Sequence, residues 1–519
     1  MNQKNRNQKS WNKKIYSRFI LTFFGAIALV IVASMYAGAQ KYSRVSSDLL
    51  LKFQQSPIHD VIVHLDQQAN LQISSTQSRE ERLKSFYASL TQVAASSQRD
   101  LIQWLDQHQL VYRSFYIVNA IAVRAVTFDQ LMKIASRSDV RRINLDPTFL
   151  RPELPSENEI TEEVDPINPN EIPTSLKAIG MEKVWNELKV AGQGIVVAGQ
   201  DTGYAWQHEA ITAQYRGNQN GEIQHNYNWH DAIREPVILN RSNSCGYNVN
   251  SPCDDSDHGT HTMGTILGFN GKKERIGVAP KAQWIGCRNM DAGAGKASTY
   301  IECFEYFLAP YAHGGNPQTD GKPELAPHIV NNSWGCPESE GCKGEEFLPI
   351  IRTLTSAGIM VVAAAGNDGP GCETIQDPPA FLSNEVITVA SFSVGGNSIS
   401  SFSSRGPSQW QGAVGPNITA PGAAIRSAVP GAGNNKYQSM SGTSMASPHI
   451  AGVVALMWSA KSELVGQIAQ TLDIIQRTAQ PKKSNQNCGQ YNGQEIPNAV
   501  FGYGLVDAYA AVKASLELD

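Results

Sequence analysis

Ser441-Gly442-Thr443-Ser444-Met445-Ala446-Ser447-Pro448-His449 runs without a break into Ile450-Ala451-Gly452-Val453-Val454-Ala455-Leu456-Met457-Trp458. The second half is hydrophobic on every face, which predicts a helix buried all round rather than an amphipathic surface helix. The small residues ahead of it bring Ser444 tightly around a turn and set it at or near the helix N-terminus. There, free backbone N–H groups and the helix dipole favour developing negative charge, so the position suits a serine that attacks a carbonyl. An ordinary N-cap serine would look the same in isolation, and other segments must decide between the two.

Two upstream stretches do so. Ile195-Val196-Val197-Ala198-Gly199-Gln200-Asp201-Thr202-Gly203 is a short apolar run closed by Asp-Thr-Gly. It reads as a parallel strand buried on both faces, with Asp201 at its C-terminal end, the end where open α/β sheets gather their chemistry. Asp257-His258-Gly259-Thr260-His261-Thr262-Met263-Gly264-Thr265 places a histidine at the opening of a small-residue helix. A serine nucleophile needs a base that is neutral near pH 7, and imidazole meets that need. The imidazole in turn needs a carboxylate to fix its tautomer and stabilise its cation. Asp201, His258 and Ser444 supply acid, base and nucleophile in that order.

With these blocks the sequence resembles the subtilisin-like serine peptidases, which share the order Asp, His, Ser. Val361-Val362-Ala363-Ala364-Ala365-Gly366-Asn367-Asp368-Gly369, Ile276–Pro280, Ser401–Pro407 and Ala420-Pro421-Gly422 extend the resemblance over roughly residues 177 to 515. Trp284-Ile285-Gly286, Phe307-Leu308-Ala309-Pro310 and Asn331-Asn332-Ser333-Trp334-Gly335 are most similar to the bacillopeptidase F group. The resemblance implies a three-layer α/β catalytic domain with a mostly parallel sheet over residues 177–519. It implies a secreted endopeptidase that forms an acyl-enzyme and is made as a precursor. Asn367 then donates its amide to the oxyanion, with the Ser444 backbone N–H as the second donor. Ser333-Trp334-Gly335 and Gly293-Ala294-Gly295 become the edges that pair with the substrate backbone, and Ala364 and Gly366 line the pocket for the side chain preceding the cut bond.

Rival chemistries fit less well. An aspartic peptidase needs two carboxylates sharing a proton, normally from two Asp-Thr/Ser-Gly motifs, and the chain has one. An α/β-hydrolase orders its triad Ser, acid, His, but no acid separates Ser444 from His449, the last histidine. For His258 and His261 a metal reading lacks His-Glu-x-x-His and an accompanying Cys-x-x-Cys. His261 reads as a second packed histidine, and Asp257, adjacent to His258 on one helix, as exposed and not the imidazole's partner. A pseudo-enzyme that only binds peptides is the alternative from another class, separable by labelling with a serine-directed phosphonate.

The first 18 residues hold six Lys or Arg and no acid, and an apolar run from Phe19 to Ala33 leads to Ala37-Gly38-Ala39. This pattern predicts a secretory signal over 1–39; the competing reading is an uncleaved membrane anchor. Residues 57–150 follow the order β-α-β-β-α-β, with a capping box at Ser78–Glu81. This resembles the ferredoxin-like inhibitory prodomain of many subtilisin-like peptidases, which implies that the chain's own prodomain is an intramolecular inhibitor. From Arg151 to Pro173 there are seven acids, one Arg and five prolines, so residues 151–176 read as an extended linker open to processing cuts. The net charge of −4, with no sustained basic cluster after the leader, argues against nucleic acid; proteins or peptides are the expected partners, and the enzyme a monomer.

All eight cysteines lie beyond residue 177. An even count in an exported chain favours disulfides, though eight cysteines allow 105 connectivities. Cys245 with Cys253, and Cys336 with Cys342, would close short loops. Where some relatives insert a calcium-binding loop, Gly268–Pro280 is short and carries Lys272, Lys273 and Arg275. The chemistry expected of Ser444 needs no metal or other cofactor, and structural calcium elsewhere is left open.

Overall fold

The structure, a computed structural model, describes residues 43–72, 76–150, 171–238, 242–335, 344–410 and 412–518. The signal-like run, residues 151–170 of the linker, and Cys336 with Cys342 lie outside the described residues. Contacts divide the chain into two compact units: the smaller takes residues up to Gln67, Ser97–Ser114 and Ala120–Leu145, and the larger takes Gln68–Ser96, Phe115–Asn119 and Asp146 onward.

The smaller unit is built on a four-stranded sheet in the order Tyr112–Phe115, Ala120–Thr127, Ile58–Leu65, Val140–Leu145. The strand Ile58–Leu65 runs antiparallel to both its neighbours. Val61, Val63, Ile121, Val123 and Ile143 pack with Leu101, Leu105, Leu131 and Ile134 from its helices into one core. The helix Phe128–Ala135 starts at a reciprocal cap between Thr127 and Gln130, which satisfies two N-terminal donors at once. The unit begins ahead of residue 57, since Val45 and Leu49 belong to its core.

In the larger unit a mostly parallel sheet runs in the order Ser398–Ile399, Ile387–Ser393, Met360–Ala364, Ile329–Asn332, Val196–Asp201, Gln283–Arg288, Trp229–Asp231, with Ile418–Pro421 also paired to Ile387–Ser393. Among the described residues only the Ser398–Ile399 pairing of this sheet is antiparallel. Every residue of Val196–Asp201 and of Met360–Ala364 is buried, as expected of parallel strands covered on both faces. The helix Thr443–Ala460 is buried from Thr443 through Trp458. It shares a continuous core with Met263 and Ile266 of the helix His258–Leu267, with Val197 and Val362 of the sheet, and with Val278 and Trp284. Helices packed on a mostly parallel sheet make this a three-layer α/β fold.

Three disulfides lie among the described residues: Cys245–Cys253, Cys287–Cys303 and Cys372–Cys488. The first is the short loop expected from spacing. The other two span 16 and 116 residues and follow from three-dimensional proximity. Among the described residues no helix is long and apolar enough to cross a membrane.

Candidate active site

Asp201 ends its strand at the C-terminal edge of the sheet, between the parallel strands Gln283–Arg288 and Ile329–Asn332. Its Oδ1 accepts from the Thr202 N–H at 2.7 Å and lies 2.7 Å from His258 Nδ1. Both side chains are almost wholly buried. The carboxylate partner requires Nδ1 to carry the proton, which leaves Nε2 as an acceptor. His258 Nε2 is buried without a hydrogen-bond partner.

Two glycines allow this approach. Gly203 has φ +111°, and a Cβ there would stand 1.7 Å from the Cys253 carbonyl oxygen. A Cβ on Gly259 would stand 2.1 Å from the Gly203 carbonyl oxygen. Bare backbone at both points lets the first turn of the His258 helix close onto the Asp-Thr-Gly turn.

A second carboxylate, unused by the sequence reading, locks the same junction. Asp254 is buried and accepts from Thr202 Oγ1 at 2.8 Å, Ser256 N at 3.1 Å, Thr260 N at 2.9 Å and Thr260 Oγ1 at 2.6 Å. The Thr202 hydroxyl in turn accepts from Gly259 N at 3.0 Å. Burial raises the Asp254 carboxyl above the usual range, and these four donors pull it back. The signal was present in the sequence as the acidic run Asp254-Asp255-Ser256-Asp257 directly before His258. Asp257, expected to be exposed, is half-buried with a left-handed φ of 65°.

Next in that run, Asp255 meets Arg288 Nη2 at 2.8 Å, while Asp231 meets Arg288 Nη1 at 3.4 Å. The guanidinium is fully buried and also donates to the Gly246 carbonyl at 3.0 Å. Asp255 Oδ1 accepts from Ala292 N at 3.0 Å, in the turn that enters the strand Ala294–Lys296. Burial pushes Asp255 up to about 6 despite the Arg288 charge. One buried cation thus ties the loop ahead of His258 to the sheet, and Asp255 extends the tie to a predicted substrate edge.

Ser444 is the second residue of the helix Thr443–Ala460. Its Oγ donates to the Ser333 carbonyl at 3.1 Å, not to His258. The Ser333 hydroxyl donates to the Ser444 carbonyl at 2.9 Å and bonds Ser447 Oγ at 2.9 Å, so the Ser333-Trp334-Gly335 segment is pinned to the helix opening. Trp334 is buried with its ring 3.8 Å from that of Tyr300. A Cβ at Gly335 would come 2.5 Å from Asp377 Oδ2.

Asn367 follows Ala364 and Gly366 beyond the end of the strand Met360–Ala364. Its Oδ1 accepts from Thr443 N at 2.9 Å and Thr443 Oγ1 at 3.0 Å. The amide is thereby oriented, with its two Nδ2 protons directed away from those contacts. Gly366, at φ +105°, donates its N–H to Thr443 Oγ1 at 3.1 Å.

Gly293 has φ +86° and turns the chain into Ala294–Lys296, which pairs antiparallel with Met290–Asp291 on one side and Thr148–Leu150 on the other. Just before Thr148, Asp146 accepts from Ser298 N at 3.0 Å and Ser298 Oγ at 2.7 Å, at the start of the helix Ala297–Leu308. Later in that helix, the buried Glu305 accepts from Tyr116 N at 2.5 Å and Ile117 N at 3.0 Å. Burial pushes Glu305 up to about 8, with the two N–H groups opposing and the Glu302 charge assisting. Sequence reasoning missed Asp146 and Glu305, whose partners lie 152 to 189 residues away.

His261 lies apart from this chemistry. Its Nε2–H faces the carbonyls of Ile425 at 2.9 Å and Gln438 at 3.1 Å, and burial, then the His258 charge, lowers it to about 3. Among the described residues no group of three His, Cys, Asp or Glu side chains could hold a metal ion.

A parallel α/β sheet whose C-terminal edge gathers a buried Asp–His pair, a serine in the first turn of a helix and an anchored asparagine amide is the frame of a serine hydrolase. The subtilase family profile matches residues 192–504, and the chain belongs to that family, whose members are subtilisin-like serine endopeptidases. It is 31% identical over 469 residues to Bacillopeptidase F of Bacillus subtilis (strain 168), an alignment covering 85% of this chain and 29% of that protein. It is 30% identical over 299 residues to the Major intracellular serine protease of the same organism, covering 57% of this chain and 77% of that protein. With Subtilisin Savinase of Lederbergia lenta the identity is 31% over 261 residues, 50% of this chain and 79% of that one. The chain thus spans less than a third of the length of Bacillopeptidase F and over three-quarters of the other two.

Proposed function

We propose that the chain is a secreted serine endopeptidase that hydrolyses proteins and peptides through Asp201, His258 and Ser444, and is made as a precursor. The observation that carries this reading is the buried 2.7 Å contact between Asp201 Oδ1 and His258 Nδ1, which leaves Nε2 free to act as base. A rotation of Ser444 about its Cα–Cβ bond from the Ser333 carbonyl toward Nε2 arms the nucleophile. Oγ then attacks the scissile carbonyl while Nε2 takes its proton, and the same proton is given to the leaving amine, freeing it from the acyl-enzyme. Water deacylates the enzyme by the same exchange. Asn367 Nδ2 and the Ser444 N–H receive the oxyanion charge. Ser333, Trp334 and Gly335 on one side, and Gly293, Ala294 and Gly295 on the other, pair with the substrate backbone. Ala364 and Gly366 wall the specificity pocket. The steps require no cofactor, and the enzyme acts as a monomer.

Residues 57–150 are the inhibitory prodomain in this reading, with a ferredoxin-like fold, supported by the order of the four-stranded sheet. Its blocking tail is Thr148–Leu150, supported by the antiparallel pairing with Ala294–Lys296. The acidic linker is cut after export, which the leader at 1–39 directs.

The test is Ser444→Ala. The pure protein is expected to fold and to lose about 10⁶-fold in kcat, the scale of the triad's joint contribution in this family. It should also accumulate uncut, as read by mass spectrometry beside wild type. Undiminished proteolysis would refute the assignment, and identical processing of both chains would mean that another peptidase makes the cut.

A further inference from the structure

The helix Arg79–Ser97 opens at a reciprocal cap: Ser78 N donates to Glu81 Oε2 at 2.8 Å and Glu81 N to Ser78 Oγ at 3.2 Å. As far as Ser96 it belongs to the larger compact unit, and two of its side chains are received there in detail. Arg79 Nε donates to the Gly358 carbonyl at 2.9 Å, and Nη2 to the Pro327 carbonyl at 2.5 Å. The Arg79 stem lies against two facing glycines: a Cβ on Gly358 would meet Arg79 Cγ at 3.2 Å, and one on Gly466 would meet Arg79 Cδ at 3.4 Å. Both glycines have positive φ, +85° and +80°. Eight residues along the helix, Tyr87 donates its hydroxyl to the Pro317 carbonyl at 2.9 Å and accepts from Gly321 N at 3.0 Å. A Cβ on Gly321 would stand 2.8 Å from the Tyr87 ring.

Two of these acceptors, Pro327 and Gly358, lie at the opposite end of the strands from the Asp201, Ser333 and Asn367 edge. Pro327 and Gly358 immediately precede the parallel strands Ile329–Asn332 and Met360–Ala364, so they sit at the N-terminal ends of strands whose C-terminal ends lead to Ser333 and Asn367. The segment carrying Pro317 and Gly321 is itself anchored. Asn316 N bonds Asp320 Oδ2 at 2.8 Å, His313 N bonds Asn226 Oδ1 at 3.0 Å, and Arg216 Nη1 bonds the Leu325 carbonyl at 2.8 Å. A guanidinium held by two carbonyls over bare glycines, and a phenol held at both its donor and its acceptor, are recognition contacts beyond the packing that a covering helix requires.

We propose that Pro317, Gly321, Pro327, Gly358 and Gly466 form an exosite, separate from the substrate groove, for a helix that carries an arginine and, eight residues on, a tyrosine. Its occupant is the chain's own helix Arg79–Ser97. The exosite holds the N-terminal fragment on the enzyme after the linker is cut, in addition to the tail on Ala294–Lys296, so full activity waits for two releases. The inference rests on the reading of residues 57–150 as an inhibitory prodomain.

The experiment compares full chains: wild type, the double variant Arg79→Gln with Tyr87→Phe, and Gly321→Ala. Each is allowed to cut its own linker. The cut protein is then passed over a size-exclusion column at about micromolar concentration, and mass spectrometry follows the fragment in the enzyme peak while cleavage of a short peptide is timed. The double variant and Gly321→Ala are each expected to lose the fragment at least about tenfold faster than wild type, with an equally shortened lag and an unchanged final KM. Gly321→Ala leaves the helix unaltered, so it speaks even if the double variant folds poorly. Release at the wild-type rate from both the double variant and Gly321→Ala would overturn the exosite. A wild-type fragment that never inhibits would instead defeat the prodomain reading.

Discussion

Two groups of buried carboxylates in the larger unit meet the same problem differently. At the sheet edge Asp201 and Asp254 take their donors from close neighbours: Thr202, Ser256, His258 and Thr260, all within 57 residues. On the helix Ala297–Leu308, Glu302 is neutralised by Arg234 at 2.5 Å and bonded to His230 at 2.7 Å. One turn on, Glu305 is satisfied by two backbone N–H groups from a segment nearly 190 residues earlier. In the proposed reading the first group is part of the permanent enzyme. Glu305 depends on residues that, in the proposed reading, belong to a removable fragment; burial pushes it up to about 8, and the two N–H groups of that segment oppose the rise. A carboxylate whose donors come from its own loop is built to persist; one whose donors arrive from a distant segment reports whether that segment is in place.

The comparison breaks most sharply at Asp201. Asp201→Asn is expected to keep the fold and lower kcat by about 10⁴-fold, because the amide favours the wrong imidazole tautomer. Steady-state kinetics measures it, and a loss below tenfold would mean that Asp201 is not the orienting acid. Asn367→Leu comes next, with kcat reduced about 10²–10³-fold and KM nearly unchanged; a change confined to KM would move Asn367 into substrate binding.

Asp254 tests whether the second carboxylate is structural. Asp254→Ala strands the Thr202 and Thr260 hydroxyls and two backbone N–H groups, at about 1–3 kcal/mol for each buried group left unpaired. Calorimetry on the Ser444→Ala background should show a drop of several degrees in Tm, with Asp254→Asn falling between the two. An unchanged Tm would show that the junction holds without it.

The smallest effect belongs to Glu305. Its pKa is raised from 4.5 in the free state to about 8 by burial. Its stabilising share is therefore complete below about pH 4.5 and lost as pH rises through about 8. Glu305→Gln keeps an acceptor for both N–H groups without the titration. On the Ser444→Ala background, the variant should gain stability relative to its parent between pH 5 and pH 8. A difference in Tm that does not vary with pH would refute this.

The sequence was most informative where local pattern and chemistry coincide. The helix over Ser444 was legible because residues 450–458 are apolar on every face, and the strand ending at Asp201 because its apolar run stops at a turn. In the smaller unit, the helix Phe128–Ala135 and the strand Val140–Leu145 stand where the β-α-β-β-α-β order read from residues 57–150 puts its last two elements. Contacts fixed only by folding were not legible. Spacing alone could not select Cys287–Cys303 or Cys372–Cys488, and no local pattern announces that Asp146 meets Ser298. Asp254 falls between these cases: its acidic run is visible, but the run does not show which carboxylate faces the helix, and Asp257, which adjoins the histidine in sequence, makes no side-chain cap in space.

In the proposed reading of the chain as an endopeptidase, the disulfide Cys372–Cys488 has a further consequence. The loop it closes, 116 residues long, contains the whole helix Thr443–Ala460. A peptidase at high concentration meets its own exposed loops more often than any other target. A single nick between these cysteines leaves both new ends covalently tethered, and the helix bearing Ser444 stays attached to the sheet on which it packs. Without the bridge, the same nick would leave the two pieces joined by non-covalent packing alone. The cross-link therefore limits the damage of a nick in this span as well as opposing unfolding.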